Sequence, residues 1–163
     1  MKIVLSYEDE HVLSIVGNYE YTDDRIRLTG NWSIYIGNIL DATENKPTCL
    51  FLDRVSLNNL GEFYVKFSFD GINYTKATLL TSSGEHTIGI PIPLNTKCFC
   101  FGATHTRGGS AILPKEVELI PIEIAAERYT EYKFDPFEFG LSFVISSLAS
   151  YGFVKTVRGG RPW

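Results

Sequence analysis

The stretch EFYVKFSFDGINYTKATLL, residues 62–80, decides the fold class of this chain. From Phe63 to Phe69 every second side chain is apolar, which is the period-two pattern of a half-buried β-strand. Asp70-Gly71 follows and favours a two-residue type I′ turn, in which both residues adopt a positive φ. A second run of β-forming residues comes next, so the stretch predicts an antiparallel hairpin.

Similar short apolar runs extend in both directions from this hairpin. Alternation in Arg25–Gly37 continues on both sides of Gly30-Asn31, which marks a turn or a bulge. Two N-terminal runs are expected to pair with each other, and a strand at Cys49–Asp53 is expected to end in a turn through SLNNLG. The glycines of TRGGSA are expected at a loop tip. The remaining predicted strands are 2–7, 12–16, His86–Ile92, Lys97–Ala103 and Glu116–Ile122.

Many short strands with regular turn signals indicate an all-β, antiparallel β-sandwich of jelly-roll-like type. Pro91, Pro93 and Pro121 cannot donate to a ladder, so they are expected at edges or strand ends. The 9 Tyr and 11 Phe suit a pleated, half-buried surface. We therefore assign residues 1–123 to one sandwich body.

The overall composition narrows the classes of function. The chain has 163 residues and a formal net charge of −4, which argues against nucleic-acid binding. No stretch of about 18 apolar residues predicts a membrane span, and the N-terminus does not resemble a signal peptide. Three cysteines without such a signal indicate free thiols in a reducing compartment.

The character of the sequence changes at residue 124. Residues 124–163 are interpreted as a C-terminal arm, with a short helix at about 136–151 and a basic tail at 153–163. Residues 136–163 carry Lys155, Arg158 and Arg161 against Glu138, a net charge of +2, which leaves −6 for residues 1–135. The alternatives are a floppy tail and an arm that docks on a neighbouring subunit. The arm is favoured, with these partner-binding residues: Phe137, Phe139, Phe143, Phe153, Arg158, Arg161 and Trp163.

No catalytic or metal-binding motif stands out. Neither a nucleophile elbow nor a phosphate loop is present in the sequence, and the three histidines lie far apart. Cys98 and Cys100 share one side of a strand but lack further ligands nearby, so they are interpreted as packed thiols. The acidic runs at 8–10 and 23–24 are interpreted as solvated loops, and Asp70 as a turn residue. We expect no enzyme activity, no cofactor and no metal.

The segment NLGEFYVKFSFDGINYTKATLLTSSGEHTIGIPIPL resembles the central part of discoidin-like or carbohydrate-binding-module-like jelly-roll domains. The resemblance lies in an aromatic strand end, a D-G turn, and a strand that opens with Asn and an aromatic residue. These residues are Phe67, Phe69, Asp70, Gly71, Asn73 and Tyr74. Such modules are common in tail, baseplate, neck and capsid-associated proteins of tailed bacteriophages, so the resemblance implies a virion protein assembled in the host cytoplasm. A cytoplasmic protein outside a virion is the alternative.

The leading hypothesis is therefore a non-enzymatic structural subunit of a phage tail, baseplate or neck. Its expected partners are other virion proteins and copies of itself. A glycan-binding module is the main alternative, with Tyr19, Tyr21 and Trp32 as candidate sugar-contacting residues. A capsid decoration protein and a glycan hydrolase rank below these two.

Overall fold

The computed structural model describes residues 1–79 and 81–125. Most of these residues lie in antiparallel strands, which confirms the predicted all-β fold. Residues 122–125 are helical and follow the last strand. The other elements are β1 Lys2–Val4, β2 Val12–Thr22, β3 Arg25–Ile36, α1 Leu40–Thr43, β4 Thr48–Ser68, β5 Thr75–Leu79, β6 Gly84–Ile92, β7 Cys98–Pro114 and β8 Glu116–Pro121.

The eight strands of the described ranges form one hydrogen-bonded sheet. Its order is β1-β8-β4-β7-β3-β2, and β5 and β6 pair along the other side of β4. The first half of β4 lies between β6 and β8, whereas the second half lies between β5 and β7. The two halves of β4 therefore pair with different strands, and each half belongs to its own section of the sheet. The particular jelly-roll topology stays a prediction.

The neighbours change at Lys115, between β7 and β8. Arg25 of β3 pairs with Pro114, and Val4 of β1 pairs with Glu116, so β1 takes the place of β3 beyond this point. The predicted pairing of the two N-terminal strands is wrong, because β1 pairs with β8 and β2 pairs with β3. The local sequence carries no signal for such a long-range choice of partner.

β4 runs through the region that the sequence predicted as a turn. Its register shifts between Leu52 and Val55 and again around Asn59, and Arg54 and Asn59 have φ values of 55° and 50°. These are β-bulges, which absorb extra residues while pairing continues on both sides. The predicted loop tip at TRGGSA is likewise a bulged part of β7. The polar turn-like residues therefore bend long strands instead of ending them.

The hairpin after Phe67 is also wider than predicted. Phe67 pairs with Thr75, β4 ends at Ser68, and six residues, 69–74, connect it to β5. Gly71 has a φ of +80°, but Asp70 is not in the positive-φ region, so the turn is not type I′. Phe69 is 57% exposed, so its predicted place on the core face is wrong.

Other predictions about single positions are confirmed. The register between β3 and β7 shifts between Thr29 and Trp32, so of the turn or bulge expected at Gly30-Asn31 the structure has the bulge. Pro91 lies in β6, which pairs only with β4 among the described strands, and Pro121 is the last residue of β8. Prolines are therefore found where a missing N–H does not interrupt the sheet interior.

The core is one cluster of buried apolar side chains drawn from both sections of the sheet. Trp32, Phe63, Phe99 and Phe101 are its largest fully buried members. Trp32 contacts Phe63 and Phe101 edge-on, at centroid distances of 6.3 and 6.0 Å. In the described part of the chain, no helix has the length and apolar character needed to cross a bilayer. The predicted arm at 124–163, with its helix and basic tail, lies almost wholly outside the described residues and stays a prediction.

Candidate functional site

Three tyrosines occupy the region between the edge strands β1 and β2, and we call Tyr7, Tyr19 and Tyr21 the tyrosine seam. The hydroxyl of Tyr7 donates to the carbonyl of Ile15 at 3.2 Å and accepts the N–H of Ile15 at 2.8 Å. The hydroxyl of Tyr21 donates to the carbonyl of Leu5 at 2.8 Å. Side-chain hydroxyls thus join β2 to the segment after β1, where a neighbouring strand would otherwise form a ladder.

The seam is open to solvent. Tyr7, Tyr19 and Tyr21 are 56%, 38% and 39% exposed, and the rings of Tyr19 and Tyr21 meet edge-on at 5.6 Å. Every residue of β2 from Val16 to Thr22 is exposed. Within the described residues this part of β2 pairs with β3 alone, so its other edge has no partner strand. An exposed edge strand beside aromatic rings is typical of a surface that another chain covers.

Lys115 connects the seam to a neighbouring cavity. Its ammonium lies 4.9 Å from the centre of the Tyr21 ring, in a cation–π contact. Partial burial, as the main cause, raises the pKa of Tyr21 above its ordinary value, so the hydroxyl stays protonated at neutral pH. The cavity has a volume of about 400 Å³ and is lined by Val4, Asp24, Pro114, Lys115 and Glu116.

The cavity forms because the main chain changes neighbours at Lys115. The N–H of Lys115 donates to the carbonyl of Asp24 at 2.7 Å, and the N–H of Leu5 donates to the carbonyl of Lys115 at 2.7 Å. Lys115 is therefore bonded to the β2–β3 hairpin through its N–H and to the segment after β1 through its carbonyl, and these two parts of the chain diverge from it. The opening combines carboxylates, one ammonium and two apolar side chains, which suits a cationic or amphipathic side chain from another segment.

A second aromatic surface lies on the outer face of β3, β7, β4 and β5. Tyr35, Cys100, Lys66 and Lys76 occupy successive positions of one cross-strand row. Lys66 and Lys76 both approach the ring of Tyr64, at 5.4 and 5.1 Å from its centre. The ring of Tyr74 meets the ring of Tyr35 edge-on at a centroid distance of 5.8 Å. We call Tyr35, Tyr64, Tyr74, Lys66 and Lys76 the tyrosine–lysine face.

Glu62, Gly102 and Cys100 contribute to the structure of this face. Glu62 accepts a hydrogen bond from Lys76 at 2.7 Å, which lowers the pKa of Glu62. A Cβ at Gly102 would lie 2.8 Å from the Tyr64 hydroxyl and 2.4 Å from the carbonyl oxygen of Trp32, so the glycine permits the close approach. Burial raises the pKa of Cys100 to about 11, so this thiol is not a ready nucleophile.

Trp32 does not belong to either surface. The side chain is 2% exposed, so it is not accessible for stacking on a sugar as the sequence suggested. Its Nε1–H donates to Nε2 of His105 at 3.1 Å, and His105 in turn donates from Nδ1 to the carbonyl of Asn58 at 2.8 Å. Since the indole N–H is only a donor, these contacts select the His105 tautomer with the proton on Nδ1. The other two candidates, Tyr19 and Tyr21, lie together in the seam.

Two of the carboxylates that the sequence raised, Asp9 and Asp70, have local structural roles. Asp9 accepts the backbone N–H groups of Val4 at 2.7 Å and His11 at 2.8 Å, and so holds the loop between β1 and β2. Asp70 accepts the N–H groups of Ile72 at 2.7 Å and Asn73 at 2.8 Å. Among residues 1–79 and 81–125, no group of three or more His, Cys, Asp or Glu is placed to hold a metal ion.

Sequence reasoning missed several members of these surfaces. The alternation in EFYVKFSF put Tyr64 and Lys66 on the face opposite Phe63, Val65 and Phe67, but it did not mark them as members of a candidate surface. Tyr7 and Lys115 join the seam only through long-range pairing, for which the sequence has no local signal. All seven predicted partner-binding residues of the arm, Phe137 to Trp163, lie outside the described residues.

Comparisons with known proteins identify no family. No protein-family model matches the chain, and no curated protein sequence matches it. One solved structure with a partial likeness is the enzymatically active domain of tailspike protein 4 of bacteriophage CBA120, with a TM-score of 0.40 and 12% identity. That alignment covers 67% of this chain and 18% of the tailspike chain. A likeness at this level supports no conclusion about function.

Proposed function

We propose that this chain is a non-enzymatic structural subunit of a bacteriophage particle that assembles with copies of itself and with other virion proteins. The observation that carries the assembly role is the exposed tyrosine seam along the edge of β2 that has no partner strand among the described residues. Tyrosine combines a large apolar area with a polar tip, and it is enriched where proteins meet. The assignment to a phage particle comes from the jelly-roll resemblance of residues 59–94.

The non-enzymatic part of the proposal has its own support. Within the described ranges the buried thiol of Cys100 has a raised pKa, Asp9 and Asp70 are engaged by backbone N–H groups, and His105 is held by Trp32 and Asn58. Each of these groups is occupied by a structural contact. The chemistry of the described residues therefore favours recognition over bond-making or bond-breaking.

Sedimentation equilibrium of the full chain beside a chain that ends at Lys133 tests the assembly role. The proposal predicts a defined oligomer for the full chain and a monomer for the shortened chain. Circular dichroism of both chains shows whether the shortened chain keeps its β-sheet. A full chain that remains a monomer at every concentration, with the same thermal stability as the shortened one, would contradict an assembly role.

Glycan binding is the second candidate, and the tyrosine–lysine face is the observation that favours it. Three half-buried tyrosines and two lysines on one sheet face offer stacking surfaces and hydrogen-bond donors for a polysaccharide. Titration calorimetry with bacterial surface polysaccharides, comparing the unmodified chain with Tyr74→Ala, tests this function. Tyr7→Ala, which changes the seam instead, is the matched control. Equal heats for all three chains would remove this candidate.

A further inference from the structure

We propose that the tyrosine seam and its cavity receive the basic tail, residues 153–163, of a second copy of this chain, which adds as a strand to the edge of β2. This inference deepens the proposed assembly role, on which it rests, by naming the docking site and its occupant.

The edge of β2 offers backbone groups to a further strand. Ile15 is already capped, because its N–H and C=O both bond to the Tyr7 hydroxyl. From Val16 to Thr22, β2 pairs with β3 alone among the described strands. This part contains seven residues, which at about 3.3 Å per residue gives an edge of about 23 Å. Strand addition along such an edge is a common mode of peptide recognition.

The charges around the seam match those of the tail. Glu8, Asp23 and Asp24 have no cationic partner within the described part of the chain, whereas Glu20 and Glu116 pair with Arg27 and Lys2. The tail FVKTVRGGRPW contains three cations, Lys155, Arg158 and Arg161, and no acidic residue. Complementary charges of this kind steer association and fix the orientation of a bound segment.

The order of residues in the tail also suits the site. Phe153–Val157 consists of one aromatic and three β-branched residues around a single lysine, which is a strand-forming composition. Gly159-Gly160 then allows the chain to turn, and Arg161, Pro162 and Trp163 follow. Asp24 in the wall of the cavity suits the guanidinium of Arg161, and Val4 and Pro114 offer apolar contact to Trp163.

If each copy gives its tail to the next, every seam in a closed oligomer is occupied, and all copies make the same contact. It also covers the Tyr7, Tyr19 and Tyr21 rings, which are exposed in the single chain. A tail that folds back on its own seam is the competing arrangement. It makes the same local contacts but yields a monomer, so the oligomeric state separates the two.

Charge reversal in the full chain tests the inference. Sedimentation velocity over a concentration series is run for Arg158→Glu/Arg161→Glu, for Glu8→Lys/Asp24→Lys, and for the chain with all four changes. We expect each pair alone to weaken self-association about tenfold and the combination to restore most of the loss. Glu44→Lys/Glu85→Lys, which changes two exposed carboxylates elsewhere, is the matched control and is expected to associate normally.

A peptide experiment on the unmodified chain remains decisive even where a variant folds poorly. The peptide FVKTVRGGRPW is expected to dissociate the oligomer, while a scrambled peptide of the same composition leaves it intact. The docking site would be wrong if deletion after Lys133 abolished association while the seam reversal and the peptide had no effect. In that case the tail would bind elsewhere, and the proposed assembly role would still hold. A full chain that is always monomeric would overturn both.

Discussion

At the scale of single residues, polar side chains fix the irregular parts of this fold. Asp70 is the clearest case, because its carboxylate accepts two backbone N–H groups and hydrogen bonds from Ser68 and Asn73. These bonds hold the pKa of Asp70 well below its usual range, with the backbone N–H groups of Asn73 and Ile72 as the largest causes. The connection between β4 and β5 therefore depends on an ionised carboxylate.

Asp70→Asn is expected to lower the thermal midpoint at pH 7. A carboxyl with a lowered native pKa stabilises the fold above its unfolded pKa near 3.8, and this stabilisation is lost as the pH falls through the native pKa. The difference between Asp70→Asn and the unmodified chain should therefore shrink below about pH 4. Differential scanning calorimetry at pH 7 and at pH 2.5 measures this difference in thermal midpoint, with Glu85→Gln as the control. A difference that grows in acid would contradict this role.

His105 belongs to a polar pair in which the other member, Trp32, is buried. His105→Ala leaves the indole N–H of Trp32 without its acceptor, in a side chain that is 2% exposed. An unsatisfied buried donor costs about 1–3 kcal/mol, so urea unfolding should show a loss of this size. Thr106→Ala, one residue further on and exposed, is the control and is expected to change stability by less than about 0.5 kcal/mol. Equal losses in both variants would contradict the special role of the Trp32–His105 pair.

At the scale of elements, the long strands and their bulges explain which sequence predictions succeeded. The alternation around Gly30-Asn31 predicted strand on both sides of a turn or a bulge, and the structure shows the bulge. The same alternation groups Trp32 with Ile34 and Ile36, all of them buried, so a core role for Trp32 was available from the pattern. Local periodicity was sufficient to predict a strand where the same set of alternating side chains stays buried along its whole length.

Sequence reasoning failed where a distant strand overrides a local turn signal. The residues SLNNLG favour a turn, yet β4 continues through them because β7 pairs on both sides of the bulge at Asn59. The seam was only half predicted for a similar reason. Tyr19 and Tyr21 were named as candidate sugar-contacting residues, but Tyr7 reaches β2 only through its hydroxyl contact with Ile15.

The edge of β2 gives a prediction at this scale. Tyr7→Phe removes the hydroxyl that bonds both backbone groups of Ile15, so we expect a stability loss of about 1 kcal/mol. Hydrogen exchange at the Ile15 amide should become faster, because its acceptor is lost. Tyr19→Phe, which changes the adjacent ring of the seam, is the control and should leave Ile15 exchange unchanged. Unchanged exchange in Tyr7→Phe would mean that the hydroxyl does not cap this edge.

At the scale of the whole molecule, the acidic and basic residues are divided unevenly between the body and the C-terminal end of the chain. Residues 1–135 carry a net charge of −6, while the last eleven residues carry three positive charges and no negative one. The described body presents an open strand edge with three exposed tyrosines and unpaired carboxylates on one side. We therefore infer an assembly unit in which one copy supplies the tail and the next supplies the seam.

Hydrogen–deuterium exchange of the full chain, measured at low and at high protein concentration, tests whether the tail of one copy binds the seam of another. We expect protection to appear together in residues 16–22 of β2 and in residues 153–163 as the concentration rises. The tyrosine–lysine face should exchange at the same rate at both concentrations. Protection of the tail without protection of β2, or no dependence on concentration in either segment, would contradict it.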